Sequence, residues 1–289
     1  GLKKVSEKNP YLASTYGLGE VIKSLLQENI RDFIIGLGGS ATNDCGIGML
    51  SALGYKFFDK NNNECIHGIN ALSKINRIDD SYLNENLKNA KFTLVSDVEN
   101  ILCGQEGATY VFSKQKGLKE ENFQIVDDYV NKFTRIVYNK YNTNYSNILG
   151  SGAAGGLAYG FLTFTNSEIK KGSDFMIEYL KIEEKIKEVE IVITGEGKLD
   201  LQSFMGKAPI EIARLAKKYK KSVIFLAGTI SDKEIDTLNA STKGIIDASF
   251  SILRGISTLD EAMNKKLAIS NLENTVSQVF NLLEIFNDE

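Results

Sequence analysis

The sequence predicts an α/β protein built around parallel β-sheet. Apolar runs rich in β-branched residues, at 189–194, 222–227 and 245–253, alternate with segments whose apolar residues recur at the helical period. Strands of a parallel sheet are buried on both faces, so they read as continuous apolar runs, and the helices between them cover those faces. The alternation therefore predicts a doubly wound layer in the C-terminal third, and the N-terminal part contains another unit of the same kind.

Spacing and end signals predict the helices of the C-terminal third. Between the first two runs, Ile210 and Ala213 lie on one apolar face at helical spacing. Pro209 stands at a first-turn position, which favours proline, and a lysine-rich stretch at 217–221 stands at the other end, where the helix dipole favours cations. After the third run, the apolar positions from 259 to 283 predict one long or two consecutive closing helices.

The N-terminal part begins with a helix, a strand and a second helix. Residues 20–28 have helical spacing, 32–37 form a buried strand, and 45–53 begin a helix after a glycine-rich turn. The remaining predicted elements are a hairpin turn at 61–63, a strand at 92–96, a helix at 120–137 and an exposed loop at 139–147. Regular elements thus cover much of the chain, and no internal repeat interrupts them.

Composition excludes several classes of protein. The 289 residues suggest about two domains, and 43% apolar with 25% charged residues is typical of a soluble globular protein. A net charge of −3 and a pI near 5.5 give no general attraction to nucleic acid or to a membrane surface, so we expect neither partner. The three cysteines, Cys45, Cys65 and Cys103, form no C-x-x-C pair, which indicates a reducing, cytoplasmic location.

The first candidate site is the glycine-rich segment 36–44, which follows a buried strand and precedes a helix. Glycine lets a ligand approach the main chain, and amides at a helix start form an anion site together with hydroxyls such as Ser40 and Thr42. A phosphate or a carboxylate would suit it. The alternative is a tight turn in which Asn43 or Asp44 caps the next helix.

The second candidate lies at 194–202, at the carboxyl end of another buried strand, where ligands bind in open α/β sheets. Lysines (Lys198 and Lys207) and acids (Glu196 and Asp200) are concentrated there among glycines. Lysines neutralise a transferring phosphate, and carboxylates hold magnesium or accept a hydroxyl proton, so the segment suits phosphoryl transfer. The alternative is a solvated loop with a helix cap.

A third glycine-rich run, from Gly150 to Gly156 with Asp174 further along, has the form of a dinucleotide-binding motif. No convincing strand precedes it, so the small residues could instead let a helix pack closely or a loop approach the substrate. A nicotinamide-dependent oxidoreductase therefore stays as a competing function.

Asp97 is the fourth candidate. It follows the strand at 92–96 and stands beside Glu99 and Asn100, where its carboxylate could ligate a metal ion through oxygen. The alternative is an aspartate that forms a turn at the end of the strand.

Four motifs in this order resemble those of the bacterial class I glycerate kinases. They are Gly38-Gly39-Ser40-Ala41-Thr42-Asn43-Asp44, Ser96-Asp97-Val98, Gly152-Ala153-Ala154-Gly155-Gly156, and Thr194-Gly195-Glu196-Gly197-Lys198-Leu199-Asp200 with Gly206-Lys207-Ala208-Pro209. The resemblance implies ATP-dependent phosphorylation of D-glycerate to 2-phosphoglycerate, with magnesium as the metal. It also implies two α/β domains: an inserted mixed domain, placed at 1–187, and the C-terminal part of a flavodoxin-like parallel sheet, at 188–289.

The resemblance also implies roles for the motif residues. Substrate or phosphate contacts would come from Gly38, Gly39, Ser40, Thr42, Asn43 and Asp44, and the second wall of the cleft from Gly195, Glu196, Gly197, Lys198 and Lys207. Lys198, Asp200 and Asp97 would be catalytic, and Asp97 would be the metal ligand. The sequence leaves open whether Asp97 or Asp200 binds the metal or accepts the hydroxyl proton.

One departure from the family bears on activity. Members normally begin with a strand leading to an aspartate-serine-phenylalanine-lysine segment, followed by further sheet, and neither precedes the Asn9-Pro10 region here. We therefore expect a truncated form that phosphorylates glycerate poorly or not at all by itself. A non-catalytic regulator that binds a sugar acid is the alternative outside the enzymes, and a homodimer is a possible assembly.

Overall fold

The computed structural model describes residues 1–5, 7–231, 240 and 242–287, and it divides into two compact α/β units, Gly1–Lys171 and Gly172–Glu289. Unit 1 contains, in chain order, α1 (Tyr16–Gln27), β1 (Asp32–Gly36), α2 (Ile47–Ala52), β2 (Lys56–Phe58), α3 (Gly68–Leu72), β3 (Arg77–Asp79), β4 (Lys91–Val95), α4 (Ala108–Phe112), α5 (Phe123–Tyr141), α6 (Ala153–Phe164) and β5 (Asn166–Lys170). Short 3-10 helices lie at Leu2–Lys4, Glu85–Asn89, Lys114–Lys116 and Glu120–Asn122.

The main sheet of unit 1 is parallel, in the order β1-β4-β5. Gly36 pairs with Val95, and Val95 pairs with Lys170, so the three strands end in register at one edge. Large apolar side chains fill the core beneath the sheet, where Phe33 and Phe92 stack with ring centroids 4.8 Å apart. This packing fixes the edge at which the glycine-rich segment and the segment containing Asp97 both begin.

Unit 2 contains α7 (Gly172–Tyr179), α8 (Ile182–Lys187), β6 (Ile191–Leu199), α9 (Ala208–Lys218), β7 (Ser222–Ile230), β8 (Ala248–Ser251), α10 (Leu259–Ala262) and α11 (Lys265–Asn287), with a 3-10 helix at Leu201–Phe204. Its sheet is also parallel, in the order β6-β7-β8. Small buried clusters around Val192, Ala213 and Phe225 join α9 to the sheet. Among residues 265–285 of α11, only Val279 is buried.

The predicted α/β class is confirmed, but several element bounds differ. The strand predicted at 189–194 continues through the glycines to Leu199, because Gly195 and Gly197 lie in the strand, where β6 pairs with β7. A side chain at Gly195 would stand 2.0 Å from the Leu226 carbonyl oxygen, and glycine in a strand allows such a close backbone approach. The predicted loop at the end of this strand is therefore partly strand.

The bounds of other elements also differ from the predicted ones, because contacts with distant segments extend or shorten them. Helix α5 extends to Tyr141, three residues into the loop predicted at 139–147, and the Tyr141 hydroxyl donates to Asp80 over 2.9 Å. The third apolar run shortens to β8, and the closing segment is two consecutive helices. The hairpin turn at 61–63 is confirmed by a bridge between Phe58 and Glu64.

The compact units divide at Lys171, before the boundary predicted at 187. Helices α7 and α8 pack on α9, which places them with the second sheet. The assignment of the two parts as an inserted domain and a flavodoxin-like domain stays a prediction. In the part of the chain that the structure describes, no helix is both long and apolar enough to cross a membrane.

Candidate functional site

The glycine-rich segment leaves β1 at the carboxyl edge of the unit 1 sheet. The Leu37 amide still donates to the Val95 carbonyl over 2.8 Å, and the chain then turns through Gly39, whose φ of 57° is in the left-handed region that glycine favours. Gly38 and Gly39 are exposed, and Ser40 is half-buried. We call residues 38–42 the glycine loop, and its main chain and hydroxyls are placed to meet a small ligand.

The end of the segment is anchored inside the protein. Asp44 is fully buried, and one of its oxygens accepts bonds of 2.9 Å from both the amide and the hydroxyl of Thr15, while the other accepts from the Gly46 amide over 3.1 Å. Burial raises the pKa of the Asp44 carboxyl, although these bonds lower it in part. The Asn43 amide donates to the Thr109 hydroxyl over 3.2 Å.

These contacts give Asn43 and Asp44 hydrogen-bond partners within the protein. The capping alternative is wrong as stated, because the N-cap position of α2 is Gly46 rather than Asn43 or Asp44, and the Thr15 hydroxyl accepts from the Met49 amide in the first turn of this helix over 2.9 Å. Asp44 instead ties the segment to the start of α1.

Sequence reasoning missed a lysine beneath the glycine loop. Lys116 is only 3% exposed, and its Nζ donates to Ser40 Oγ over 3.1 Å and to the Thr42 carbonyl over 2.8 Å. Burial lowers the pKa of its ammonium to about 8, against an opposing effect of Asp44 and Cys45. Lys116 stands in a lysine-rich polar stretch 76 residues from Ser40, so no local signal sets it apart.

The third glycine-rich run packs against the segment that follows the glycine loop. Side chains added at Gly152, Gly155 and Gly156 would stand 2.3 Å from the Ile101 carbonyl, 2.0 Å from the Thr42 carbonyl and 2.8 Å from Leu102. The Cys45 amide donates to the Gly155 carbonyl over 3.1 Å. The dinucleotide interpretation is wrong, because these glycines are buried and no strand precedes them; they allow close backbone packing.

Asp97 follows β4 at the same edge of the sheet and is exposed. Its neighbour Ser96 is buried, and Ser96 Oγ accepts from the Val98 amide over 3.2 Å, which forms a turn. Glu99 pairs with Lys171 at 2.6 Å. No group of three or more His, Cys, Asp or Glu side chains that could hold a metal ion occurs among the described residues. A magnesium site that uses one carboxylate and substrate phosphates does not need such a group.

The charged residues at the end of β6 form two ion pairs within unit 2. Lys198 lies 3.2 Å from Asp200, and Lys207 lies 3.0 Å from Glu196. Asp200 also caps the short helix Leu201–Phe204 by accepting from the Gln202 amide, so the cap alternative is confirmed for this residue. Burial raises the pKa of the Asp200 carboxyl, but the bond and charge of Lys198 outweigh it and lower the pKa overall.

A cavity of about 780 Å³ lies beside this cluster, within unit 2. The carboxyl ends of β6 and β7 form one side, including Gly195, Gly197 and Gly228, and α10 and α11 form another with apolar side chains such as Met263 and Leu272. Glu196 reaches this cavity and has one buried carboxylate oxygen without a hydrogen-bond partner. A mostly apolar cleft with a few polar groups at a parallel sheet edge is typical of a ligand site.

The structure thus brings the predicted residues together in two groups. Gly38, Gly39, Ser40, Thr42 and Asp97 lie at the carboxyl edge of the unit 1 sheet. Gly195, Glu196, Gly197, Lys198, Asp200 and Lys207 lie at the carboxyl end of β6 in unit 2.

The comparisons with a family model, with curated relatives and with a solved structure all indicate the same family. The sequence model of the glycerate kinase family matches residues 1–284. A glycerate kinase of Bacillus subtilis (strain 168) is 39% identical over 90% of this chain and 67% of its own length, and a glycerate 2-kinase of Escherichia coli (strain K12) is 39% identical over 90% and 68%. A crystal structure described as glycerate kinase 2 from Salmonella typhimurium LT2 has a TM-score of 0.83 and 33% identity, covering all of this chain and 74% of that one. Since the match extends over nearly the whole chain, the chain belongs to the glycerate kinase family.

Proposed function

We propose that the protein transfers the γ-phosphoryl group of ATP to a hydroxyl of D-glycerate, giving ADP and 2-phosphoglycerate. The observation that carries this proposal is the exposed glycine loop, held at a sheet edge in a chain that matches the glycerate kinase family from residue 1 to residue 284. Small acids and phosphates are the ligands that such a loop recognises through amides and hydroxyls.

The chemistry assigned to the two groups of residues is positioning and charge neutralisation. Phosphoryl transfer involves little covalent work by the protein, so its rate depends on holding the reactants in line and on balancing the charge of the transferred group. Lys198 and Lys207 supply positive charge, and the glycine loop orients the acceptor. Asp97 and Asp200 stay alternatives for accepting the hydroxyl proton.

The cavity in unit 2 fits the nucleotide. Its apolar side suits a purine base, and the glycines at the ends of β6 and β7 allow the close approach of phosphates. Magnesium would neutralise part of the charge on the phosphate oxygens. The exposed carboxylate of Asp97 is of the type that magnesium prefers, and we propose it as the protein ligand.

A coupled assay of ADP release tests the proposal. The 289-residue chain and the protein encoded by the complete reading frame that contains it are assayed with D-glycerate, ATP and magnesium, and the product is identified by ³¹P NMR. We expect glycerate-dependent ADP release from the complete protein and 2-phosphoglycerate as the product; the same assay tests the predicted poor turnover of the 289-residue chain.

Two alternatives give distinct outcomes in the same preparation. Stabilisation against heat by glycerate, with no ADP release by either protein, would favour a non-catalytic regulator. Saturable fluorescence enhancement of NADH would favour an oxidoreductase, although its proposed glycine motif is buried. The cytoplasmic location and the homodimer stay predictions, to be checked by cell fractionation and by light scattering.

A further inference from the structure

The Lys116 ammonium is a buried charge without an ion pair. Its side chain is 3% exposed, and no carboxylate of the described residues lies within 4.0 Å of Nζ. Both observed acceptors, Ser40 Oγ and the Thr42 carbonyl, are neutral. Asp44 is close enough to affect the pKa of Lys116, but its own oxygens bond to Thr15 and Gly46.

Such a charge is unusual because burial of an ammonium is costly and is ordinarily offset by a paired anion. The positive charge of Lys116 therefore lies directly behind the glycine loop without a carboxylate in ion-pair contact, and the nearby Asp44 offsets the effect of burial only in part. An anionic group bound on the outer side of the loop would balance it.

The hydrogen-bonding role of Ser40 also indicates an anion at the loop. An ammonium can only donate hydrogen bonds, so Ser40 Oγ must be the acceptor in its 3.1 Å bond with Lys116. The hydroxyl hydrogen of Ser40 is then directed to another acceptor, and the adjacent charge strengthens its donation. Since Ser40 is half-buried beside exposed Gly38 and Gly39, that hydrogen is placed to meet a ligand.

We propose that Lys116 is a positioning residue that makes the glycine loop a subsite for the carboxylate of the hydroxy acid. Lys116 fixes Ser40 as a donor and supplies the balancing charge, and Ser40 contacts the carboxylate. This inference rests on the proposed function and adds which substrate group binds here. A single buried cation balances a monoanion, whereas a nucleoside triphosphate carries several charges and meets the two lysines of unit 2.

The test is a steady-state comparison of Lys116→Met, Ser40→Ala and the double variant with the wild-type protein. Losing a hydrogen bond to a charged group should raise KM for D-glycerate by about 10-fold or more, while KM for ATP stays within about 2-fold. KM for D-glycerate in the double variant should not exceed KM in the more impaired single variant, because both substitutions remove the same linked interaction. The matched control is Lys114→Met, because Lys114 is exposed and pairs with Glu120. This variant should leave both KM values unchanged.

A neutral substrate analogue shows whether the anion bound at the loop is the carboxylate of glycerate or a phosphate of the nucleotide. With glycerol in place of glycerate, Lys116→Met should leave kcat/KM unchanged, because the carboxylate that the subsite binds is absent. A rise in KM for ATP with an unchanged KM for glycerate would assign the loop to a nucleotide phosphate and overturn the carboxylate assignment. Independent, additive effects of the two single variants would overturn the action of Lys116 through Ser40.

Binding measurements test the carboxylate subsite independently of the proposed kinase activity. If the wild-type protein releases no ADP with glycerate, the proposed kinase activity fails, and calorimetry of D-glycerate against glycerol still decides this inference. Binding of glycerate that Ser40→Ala weakens about 10-fold supports it; equal binding by wild type and Ser40→Ala overturns it. If Lys116→Met does not fold, Lys116→Gln, which keeps a hydrogen-bond donor but removes the charge, takes its place, and glycerate binding equal to that of the wild type would overturn the role of the charge.

Discussion

Two buried ionisable residues, Asp44 and Lys116, anchor the glycine loop and the residues that follow it. Asp44 bonds to Thr15 and Gly46, while Lys116 bonds to Ser40 and Thr42. Burial disfavours the charged form of each, so the pKa of Asp44 is raised and that of Lys116 is lowered. The loop geometry is thus linked to the protonation of groups that solvent scarcely reaches.

The lowered pKa of Lys116 predicts a contribution to stability that depends on pH. Its pKa is about 8 in the folded protein and 10.5 ordinarily, so between these values the unfolded chain binds more protons and stability rises with pH. The contribution of Lys116 to the free energy of unfolding is complete above its ordinary pKa. It is lost as pH falls through the pKa of the folded protein, and the total change is about 3 kcal/mol.

Denaturant unfolding of the wild type and Lys116→Met at pH 7 and pH 10 measures this effect. We expect the wild type to gain stability relative to the variant as pH rises. Equal differences between the two proteins at both pH values would show that burial does not perturb Lys116.

Gly155 is a second residue whose type is fixed by its surroundings. Its φ is 71°, and an added side chain would stand 2.0 Å from the Thr42 carbonyl oxygen. We expect Gly155→Ala to lower the free energy of unfolding by more than about 2 kcal/mol and to raise KM for glycerate. Gly104→Ala is the matched control, since Gly104 has a φ of 86° with open space around it, and should cost about 1 kcal/mol. Equal losses in the two variants would mean that the contact with Thr42 is unimportant.

At the level of elements, both sheets place polar segments at the carboxyl ends of parallel strands. In unit 1 the ends of β1 and β4 lead to the glycine loop and to Asp97. In unit 2, β6 carries its charged residues within the strand and just after it, so pairing with β7 fixes their backbone. A strand holds such groups more rigidly than the loop that the sequence predicted, which favours preorganised charge.

The charge cluster of β6 yields a kinetic prediction for the proposed kinase activity. Lys198→Ala and Asp200→Asn should each lower kcat by ~10²-fold or more, because Lys198 supplies positive charge to the transferred group and Asp200 is a candidate for accepting the hydroxyl proton. Steady-state rates check this, with Lys185→Ala on an exposed position of α8 as the control. Thermal unfolding is measured in parallel, since Asp200 also caps a short helix. Unchanged rates in both variants would remove this cluster from the chemistry.

For the molecule as a whole, the two units differ in how much core they contain. Unit 1 has one large cluster that includes Phe33, Phe92 and Phe161 and a small one around Phe123, whereas the clusters of the described part of unit 2 are all small. Helix α11 leaves large apolar side chains such as Phe280 and Leu282 substantially exposed. Local stability follows buried apolar contact, so the units should not be equally stable.

Hydrogen exchange with mass spectrometry tests this difference in the 289-residue chain. Amides of β4 should exchange only with global unfolding of unit 1, and those of α11 should exchange ~10²-fold faster or more. Protection of α11 equal to that of β4 would contradict the predicted order of stability.

Much of the fold was predictable because local periodicity encodes it. The spacing of Ile210 and Ala213 predicted α9, and the apolar run at 32–37 predicted β1. The continuation of β6 was not predictable, since glycines weaken a strand signal and only the neighbouring backbone of β7 shows why they are there. The buried state of the run Gly150–Gly156 likewise depends on segments far away in the sequence.

The sequence by itself determined the α/β class, the two strand ends that carry polar segments, and the resemblance to the glycerate kinases. Only the tertiary structure decided which groups support those segments: Lys116 beneath Ser40, Thr15 on Asp44, and Gly155 against Thr42. The reason is physical. Periodicity and turn residues act between close neighbours in the chain, whereas the burial of a charge and the choice of its hydrogen-bond partner depend on distant segments that folding brings into contact.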